Sequence, residues 1–213
     1  MKRPRIFPTF LMFVCAVWIL CPLAIGQSKD WDEMNSLEKR STLIESLYRV
    51  GQPSFSRKMG FTPRRDCSGL IEAMFFQAGL DVHQFIAVNQ IKGNGVKMIY
   101  EFVERIGKIF TQTPAAGDLI FFSNTYDRNH DGKFNDDLTH VGVVKSIDDL
   151  GTITFLDQRK GRIHQNQINL AMPSMHNYRG NIVNSYLRNQ SRSGSAQLAS
   201  TLFFGFGSVL PES

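Results

Sequence analysis

The residues with the clearest chemical potential are a cysteine and a histidine about seventy positions apart, Cys67 and His140. Asp66, a good N-cap residue, precedes Cys67, and apolar residues at helical spacing follow it as far as Gly79. The sequence therefore predicts a helix that has Cys67 in its first turn. The unpaired N–H groups and the dipole at that end of a helix favour the thiolate, which is the nucleophilic form of cysteine.

A neighbouring imidazole completes the activation of a thiol. His140 opens a predicted strand over 140–147, with Gly142 on the same face of that strand. The chain has four other histidines, so the alternative interpretation is a strand-end residue whose ring is hydrogen-bonded to solvent. Taken together, the two residues indicate nucleophilic catalysis in which Cys67 attacks and His140 acts as the general base.

The hairpin that follows His140 supplies a third candidate residue. Across its turn, DDLG, we expect Ile147 to face Thr152. This register makes Asp157 the diagonal neighbour of His140 on one face of the sheet. An acidic side chain at that place would orient the imidazole, as the third member of a catalytic triad does. A single bulge would shift the pairing and bring Gln158 there instead.

The loop YDRNHDGKFNDD, which lies between two predicted strands, has the opening pattern of a calcium-binding loop. The predicted ligands are Asp127, Asn129, Asp131, the backbone carbonyl of Lys133, and Asp136, with Asp137 as the alternative closing ligand. Leu138 replaces the glutamate that usually closes such a loop, and the alternative interpretation is a polar surface turn without an ion. Because the loop leads into His140, a bound Ca²⁺ would be a structural brace and not a reactant.

These groups must be positioned by helices that are followed by an antiparallel run of strands. Helices are predicted over 35–50, where Asn35 and Glu38 form a capping box, and over 94–109. The predicted strands cover residues 118–122, 140–147, 152–158, 162–168 and 181–188. This order of elements argues for an α+β fold. The apolar tail over 197–210 is too short to span a membrane and is expected to pack on the core.

The first 26 residues have the layout of a secretory signal peptide, with a basic start, an apolar run and small residues before a cleavage point after Gly26. An uncleaved anchor is the alternative, although the apolar run is shorter than the roughly 20 residues of a membrane span. We therefore expect an exported protein, periplasmic or extracellular, that meets the membrane only through its signal peptide. The remainder, 27–213, is expected to be a single domain with a core over about 35–190.

Net charge and cysteine content limit the kinds of partner and the kinds of thiol chemistry that we expect. The chain carries a net charge of +5, and loss of the three cations of the signal peptide leaves about +2. No basic helix and no alternation of aromatic and basic residues is present in the sequence, so we expect no nucleic-acid partner. Two of the three cysteines lie in the signal peptide, which leaves Cys67 without an internal disulfide partner. A lone thiol in an oxidising compartment is expected to be either buried or used.

Three short blocks, in their order along the chain, resemble the NlpC-type cell-wall cysteine peptidases and their relatives, the CHAP amidohydrolases. The blocks are Asp66-Cys67-Ser68-Gly69, Gly117-Asp118 and Thr139-His140-Val141-Gly142. The resemblance spans about residues 45–160. It implies a papain-like α+β fold in which the cysteine helix packs on an antiparallel sheet. It also implies Cys67 as the nucleophile, His140 as the general base and Asp157 as the third polar residue, on the next strand.

The resemblance further implies a substrate, namely amide bonds in the stem peptides or crosslinks of peptidoglycan, cleaved through an acyl-enzyme by an endopeptidase or amidase that uses no catalytic cofactor. Many members carry a Pro-Tyr pair before the cysteine block, whereas no tyrosine follows Pro53 here, so we expect an altered wall on the substrate side. Two other functions stay open. One is an inactive envelope-binding module of the same fold, and the other is a thiol amidase or acyltransferase that acts on a different amide.

Overall fold

The computed structural model describes residues 29–50, 62–188 and 195–210. The predicted signal peptide and the loop that contains Pro53 lie outside the described residues. After a short 3₁₀ turn, the helices are α1 Ser36–Val50, α2 Cys67–Gln77, α3 Val82–Val88, α4 Gly95–Ile106 and α5 Ala199–Leu202. The strands are β1 Lys108–Phe110, β2 Leu119–Phe122, β3 His140–Ile147, β4 Ile153–Arg159, β5 Arg162–Ile168, β6 Asn177–Tyr178, β7 Asn181–Ile182, β8 Tyr186–Arg188, β9 Gln197–Leu198 and β10 Phe203–Ser208.

Six of these strands form one antiparallel sheet in the order β1-β10-β2-β3-β4-β5. Helix α2 packs on β3 and β4, and α1 and α4 pack on α2. The predicted α+β class is confirmed by this arrangement of helices beside an antiparallel sheet. The cysteine helix therefore lies against the two strands that carry the other candidate residues.

The capping residues begin the helices where the sequence predicts them. Asn35 and Glu38 exchange side-chain to backbone hydrogen bonds of 2.9 Å, which is the predicted capping box at the start of α1. The helix predicted over 94–109 is wrong at its end, because α4 stops at Ile106 and the residues after Gly107 pair with β10. Helix α3, which is only seven residues long, was not predicted.

The hairpin of β3 and β4 reaches the predicted register by a different route. Ile147 faces Ile153 and not Thr152, so the predicted first pair is wrong by one residue. The pairing then shifts between Val144 and Ser146, which is a β-bulge that inserts one residue into β3. Beyond the bulge, the register toward His140 is the predicted one, so the two differences cancel.

The tail after residue 195 is part of the sheet and does not merely pack on it. Strand β10 lies between β1 and β2, and Phe206 is fully buried. The strand predicted over 181–188 is instead split into β7 and β8. Asn184, which is buried between them, donates its side-chain amide to the carbonyls of Met172 and Met175, and this bends the chain away from a continuous strand.

The Gly117-Asp118 block has a structural role at the start of β2. Asp118 is buried, and its carboxylate accepts the N–H of Ala115 at 2.7 Å and pairs with Arg40 of α1 at 3.2 Å. Gly117 has a φ of +92°, a left-handed conformation that favours glycine. The block thereby ties the first helix to the sheet. Within the described ranges, no helix is both long and apolar enough to cross a membrane.

Candidate active site

Cys67 is the first residue of α2 and is partly exposed. The Asp66 side chain caps this helix, because it accepts the N–H of Gly69 at 2.9 Å and the hydroxyl of Ser68 at 2.7 Å. Among the described residues, the N–H groups of Cys67 and Ser68 have no hydrogen-bond partner. The thiol thus lies beside unpaired backbone donors at the positive end of a helix dipole.

The glycine of the cysteine block is required by close packing. A Cβ atom at Gly69 would lie 1.9 Å from the carbonyl oxygen of Arg64, a backbone atom that cannot turn aside. The segment that enters α2 therefore folds back against the first turn of the helix. This contact requires glycine at position 69, and the cap places Asp66 three residues before it.

His140 is the first residue of β3 and is 7% exposed. Its Nε2 lies 2.9 Å from Oδ2 of Asp157, and the ring lines the same cleft as Cys67. Because Nε2 faces the carboxylate, Nδ1 is the ring nitrogen left for the sulfur. Burial alone would lower the pKa of His140, but the interactions with Asp157 and Cys67 outweigh burial and raise this pKa to about 9. The imidazolium form is therefore favoured at neutral pH.

Asp157 is fully buried and is the residue that the structure places beside His140. Gln158, the alternative from the sequence, lines the cleft but has no contact of this kind with the imidazole. The sequence analysis missed two partners of the carboxylate. Asn166 of β5 donates to Oδ2 at 3.0 Å, and Arg159 donates to Oδ1 at 3.1 Å.

A signal for Asn166 was present in the sequence. Lys160 and Gly161 form a two-residue turn, with φ of +51° and +74°, as a type I′ hairpin requires. That turn makes Asp157 face His164, and Asn166 is its diagonal neighbour on the same face. The pairing argument used for the first hairpin would have found Asn166 if it had been applied to the second.

A cleft of about 460 Å³ opens beside the thiol and the imidazole. Tyr126 contributes to its wall, and burial raises the pKa of this phenol, with a further rise caused by the charge of nearby Cys67. Arg64 lines the cleft as well, donating to Ser68 at 2.8 Å and contacting the buried carboxylate of Glu72. The expected difference in the wall near Pro53 concerns residues outside the described ranges.

The loop predicted to bind calcium forms a series of tight turns before β3. Oδ2 of Asp127 accepts the N–H of Gly132 at 2.9 Å, and Oδ1 of Asn129 accepts the N–H of Asp131 at 3.0 Å. Asp131 in turn accepts the N–H of Lys133 at 2.8 Å. The predicted ligand side chains therefore satisfy backbone donors of their own loop.

The predicted closing residue has other partners. Asp136 is buried, accepts the N–H of Arg128 at 2.8 Å and pairs with the guanidinium of the same residue at 3.4 Å. The carbonyl of Asp137 accepts from Arg128 at 3.4 Å. In the part of the chain that the structure describes, no group of three or more histidine, cysteine, aspartate or glutamate side chains is placed to hold a metal ion. The calcium site stays a prediction.

An antiparallel sheet that brings a histidine to a cysteine at a helix N-terminus defines a papain-like α+β protein. The model of the NlpC/P60 family matches residues 46–180, and the chain belongs to that family. The family consists of cell-wall peptidases, generally cysteine peptidases or amidases that act on peptidoglycan. Searches among curated proteins and among solved structures gave no match. The resemblance to NlpC-type peptidases is confirmed, and the resemblance to CHAP proteins stays a prediction.

Proposed function

We propose that this protein is an exported cysteine hydrolase that cleaves amide bonds in the stem peptides or crosslinks of peptidoglycan. Cys67 is the nucleophile, His140 transfers the proton, and Asp157 orients the imidazole. Membership of the NlpC/P60 family supports the reaction class and the cell-wall substrate. The single observation that carries the assignment of residues is that His140, hydrogen-bonded to the buried Asp157, lines one cleft with Cys67 at the start of α2.

The proposed reaction has two steps. The sulfur of Cys67 attacks the carbonyl carbon of the scissile amide, and the imidazolium of His140 gives its proton to the leaving nitrogen as the C–N bond breaks. A water molecule then gives a proton to His140 and attacks the thioester. This step releases the carboxylic acid and restores the Cys67 thiolate and the His140 imidazolium. The N–H groups of Cys67 and Ser68 are the donors available to the oxyanion, since neither has a partner among the described residues.

Export is proposed from the sequence of the first 26 residues, which has the features of a signal peptide. The mature protein would then act in the periplasm or outside the cell, where peptidoglycan is accessible. The unpaired cysteine is consistent with this location, because a thiol engaged with a buried imidazole in a catalytic site has a use that a surface thiol lacks.

The proposal is tested by digestion of purified peptidoglycan with the wild type and with Cys67→Ala and His140→Ala variants. We expect both variants to lose at least about 10³-fold in rate, because each removes a group that takes part in bond making or breaking. His130→Ala is the matched control, since His130 is exposed and does not line the cleft. Folding of each variant is checked by its melting temperature.

Activity of Cys67→Ala equal to that of the wild type would remove the nucleophile from the proposal. An inactive wild type whose Cys67 also fails to react with iodoacetamide at pH 6 would favour the envelope-binding module instead. An unperturbed thiol ionises near pH 8.5 and would react only slowly at that pH. A wild type that reacts rapidly at Cys67 but leaves peptidoglycan intact would favour a different amide substrate.

A further inference from the structure

A basic groove extends the catalytic cleft along the turn between β4 and β5. This second cavity, of about 630 Å³, shares Arg159, Lys160 and Leu187 with the cleft beside Cys67. Its other lining residues are Arg162 and His164. Four of these five lining residues are basic, so a substrate that extends from the scissile bond into this groove meets a strongly cationic wall.

The arrangement of charge at the turn works against the stability of the hairpin. Arg159 and Arg162 face each other directly across the two strands, and Lys160 lies in the turn between them. Like charges placed directly opposite each other destabilise an antiparallel pair. A local arrangement that opposes folding is typical of a functional site, where binding and not stability decides which residues are present.

Apart from Arg159, the lysine and arginine side chains of the groove have no carboxylate partner in the described part of the chain. Within the described residues, Lys160 and Arg162 have no carboxylate at ion-pair distance, and neither does Arg65. The Arg65 side chain lies against Gly161, whose N–H donates to the Arg65 carbonyl at 3.1 Å. Arg65 therefore adds a third unpaired cation between the turn and the start of the cysteine helix.

Arg159 differs from its neighbours because it connects the groove to the catalytic residues. Its Nε donates to Asp157, and its terminal nitrogen donates to Asn166 at 3.2 Å. Its side chain is only one-third exposed, so most of its charge offsets the buried carboxylate of Asp157. The charge available to a ligand in the groove comes mainly from Lys160 and Arg162, and Arg65 lies beside the turn.

We propose that this groove binds free carboxylates of the substrate, so that the enzyme prefers peptides that are anionic on one side of the scissile amide. Arginine and lysine form charge-assisted hydrogen bonds with carboxylates, and a groove with low-dielectric walls strengthens their field. The apolar side chain of Leu187 provides part of such a wall. This inference rests on the proposed function for the identity of the substrate as a peptide, but not for the charge of the groove.

The test uses one preparation of soluble stem peptides in two forms, the native carboxylates and the same peptides with carboxyl groups converted to amides. We expect the wild type to cleave the carboxylate form with the higher kcat/KM. The double variant Lys160→Gln/Arg162→Gln should lose roughly tenfold in kcat/KM on the carboxylate form and little on the amide form. Lys92→Gln/Arg179→Gln is the matched control, because it removes two exposed cations that line neither cavity.

Binding of the same two peptide forms to Cys67→Ala, with and without the groove substitutions, separates the two proposals. If the wild type cleaves neither form, the proposed function is contradicted, and the binding preference alone decides the role of the groove. If both forms bind and react equally well, the groove proposal is overturned while the hydrolase proposal stands. The groove proposal would also be overturned if the double variant lost kcat/KM equally on both peptide forms, because the loss would then reflect a change in structure and not in charge recognition.

Discussion

The carboxylate of Asp157 accepts three side-chain hydrogen bonds and has no exposed surface. A buried charge is costly unless it is paired and hydrogen-bonded, and Asp157 meets both conditions through His140, Arg159 and Asn166. These three hydrogen bonds fix the orientation of the carboxylate, and the carboxylate in turn fixes the orientation of the imidazole ring. Asn166 is thus a positioning residue that acts on His140 through Asp157.

The raised pKa of His140 gives a residue-scale prediction. NMR titration of the histidine ring protons should show a midpoint near pH 9 for His140, because its imidazolium is stabilised by Asp157 and Cys67. Asp157→Asn should lower that midpoint, since a neutral amide no longer stabilises the positive charge. A His140 midpoint that is unchanged in Asp157→Asn would contradict the role given to the carboxylate.

The same shift predicts how stability depends on pH. The folded-state pKa of His140, about 9, lies above the ordinary value of 6.5, so the stabilising contribution is complete below pH 6.5 and is lost as the pH rises through 9. The contribution is on the order of 3 kcal/mol. Urea unfolding should therefore show that the free energy of unfolding falls more between pH 6.5 and pH 9.5 for the wild type than for His140→Gln. An equal fall in the two proteins would contradict a raised folded-state pKa for His140.

At the scale of single elements, the first turn of α2 is the most constrained. Gly69→Ala should lower the free energy of unfolding by about 3 kcal/mol, because the added methyl group collides with the backbone of Arg64. Gly180→Ala is the control. Gly180 also has an unusual backbone, with φ of +86°, but a Cβ there would touch nothing within 4 Å, and about 1 kcal/mol is expected. If the two variants unfold at the same urea concentration, the close contact at Gly69 is not the determining factor.

The loop before β3 carries the calcium prediction. Millimolar Ca²⁺ should raise the melting temperature of the wild type by about 5 °C if this concentration is roughly a hundredfold above the dissociation constant of the loop for Ca²⁺. Asp131→Asn should abolish this increase, while Asp149→Asn, which removes an exposed charge from the turn after β3, should not. Identical melting curves in calcium and in chelator would mean that the loop is a polar turn held by its own hydrogen bonds.

The elements with strong local signals were the ones that the sequence analysis could predict. Asp66 caps α2 at the predicted residue, and β3 and β5 have the predicted bounds. The bulge at Lys145 could not be predicted, because a bulge depends on how two strands meet and not on the composition of either one. The prediction nevertheless reached Asp157, because the one-residue error in the turn pair cancels the bulge and leaves the predicted register beyond it.

Long-range pairing was the part of the fold that lay beyond prediction. The pattern of 203–208 showed an apolar segment, but nothing local indicated that it would separate β1 from β2. For the same reason, the helix prediction over 94–109 includes Lys108 and Ile109, although pairing with β10 makes both residues part of a strand. Arg159 was missed as a partner of Asp157 because its side chain is long and its direction depends on the buried carboxylate.

At the scale of the whole molecule, the central sheet is covered on both faces. One apolar cluster, which includes Ile71 and Val141, lies between the helices and the sheet. A second cluster, which includes Phe155 and Phe206, lies on the opposite face beneath α5. Strand β2 contributes to both clusters, so its four residues are all buried. The hairpin that carries His140 and Asp157 is therefore supported from two sides.

Phe206 provides the prediction at this scale. Phe206→Ala should lower the free energy of unfolding by about 3–5 kcal/mol, because it leaves a cavity in the second cluster between neighbouring strands. Phe204→Ala, two residues earlier in β10 and 38% exposed, should cost far less. Urea unfolding of both variants measures the difference. Similar costs would mean that β10 contributes to stability through its backbone pairing alone.

The position of β10 between β1 and β2 has a consequence for the order in which the molecule is made. A ribosome that adds roughly 5–20 residues each second needs roughly 4–16 seconds to pass from the end of β2 to the start of β10. Once residue 157 has been added, the nascent chain holds Cys67, His140 and Asp157, but until residue 203 is reached it lacks all of the strand that lies between β1 and β2. A premature stop codon anywhere before residue 203 would therefore yield a chain that cannot close its sheet between β1 and β2.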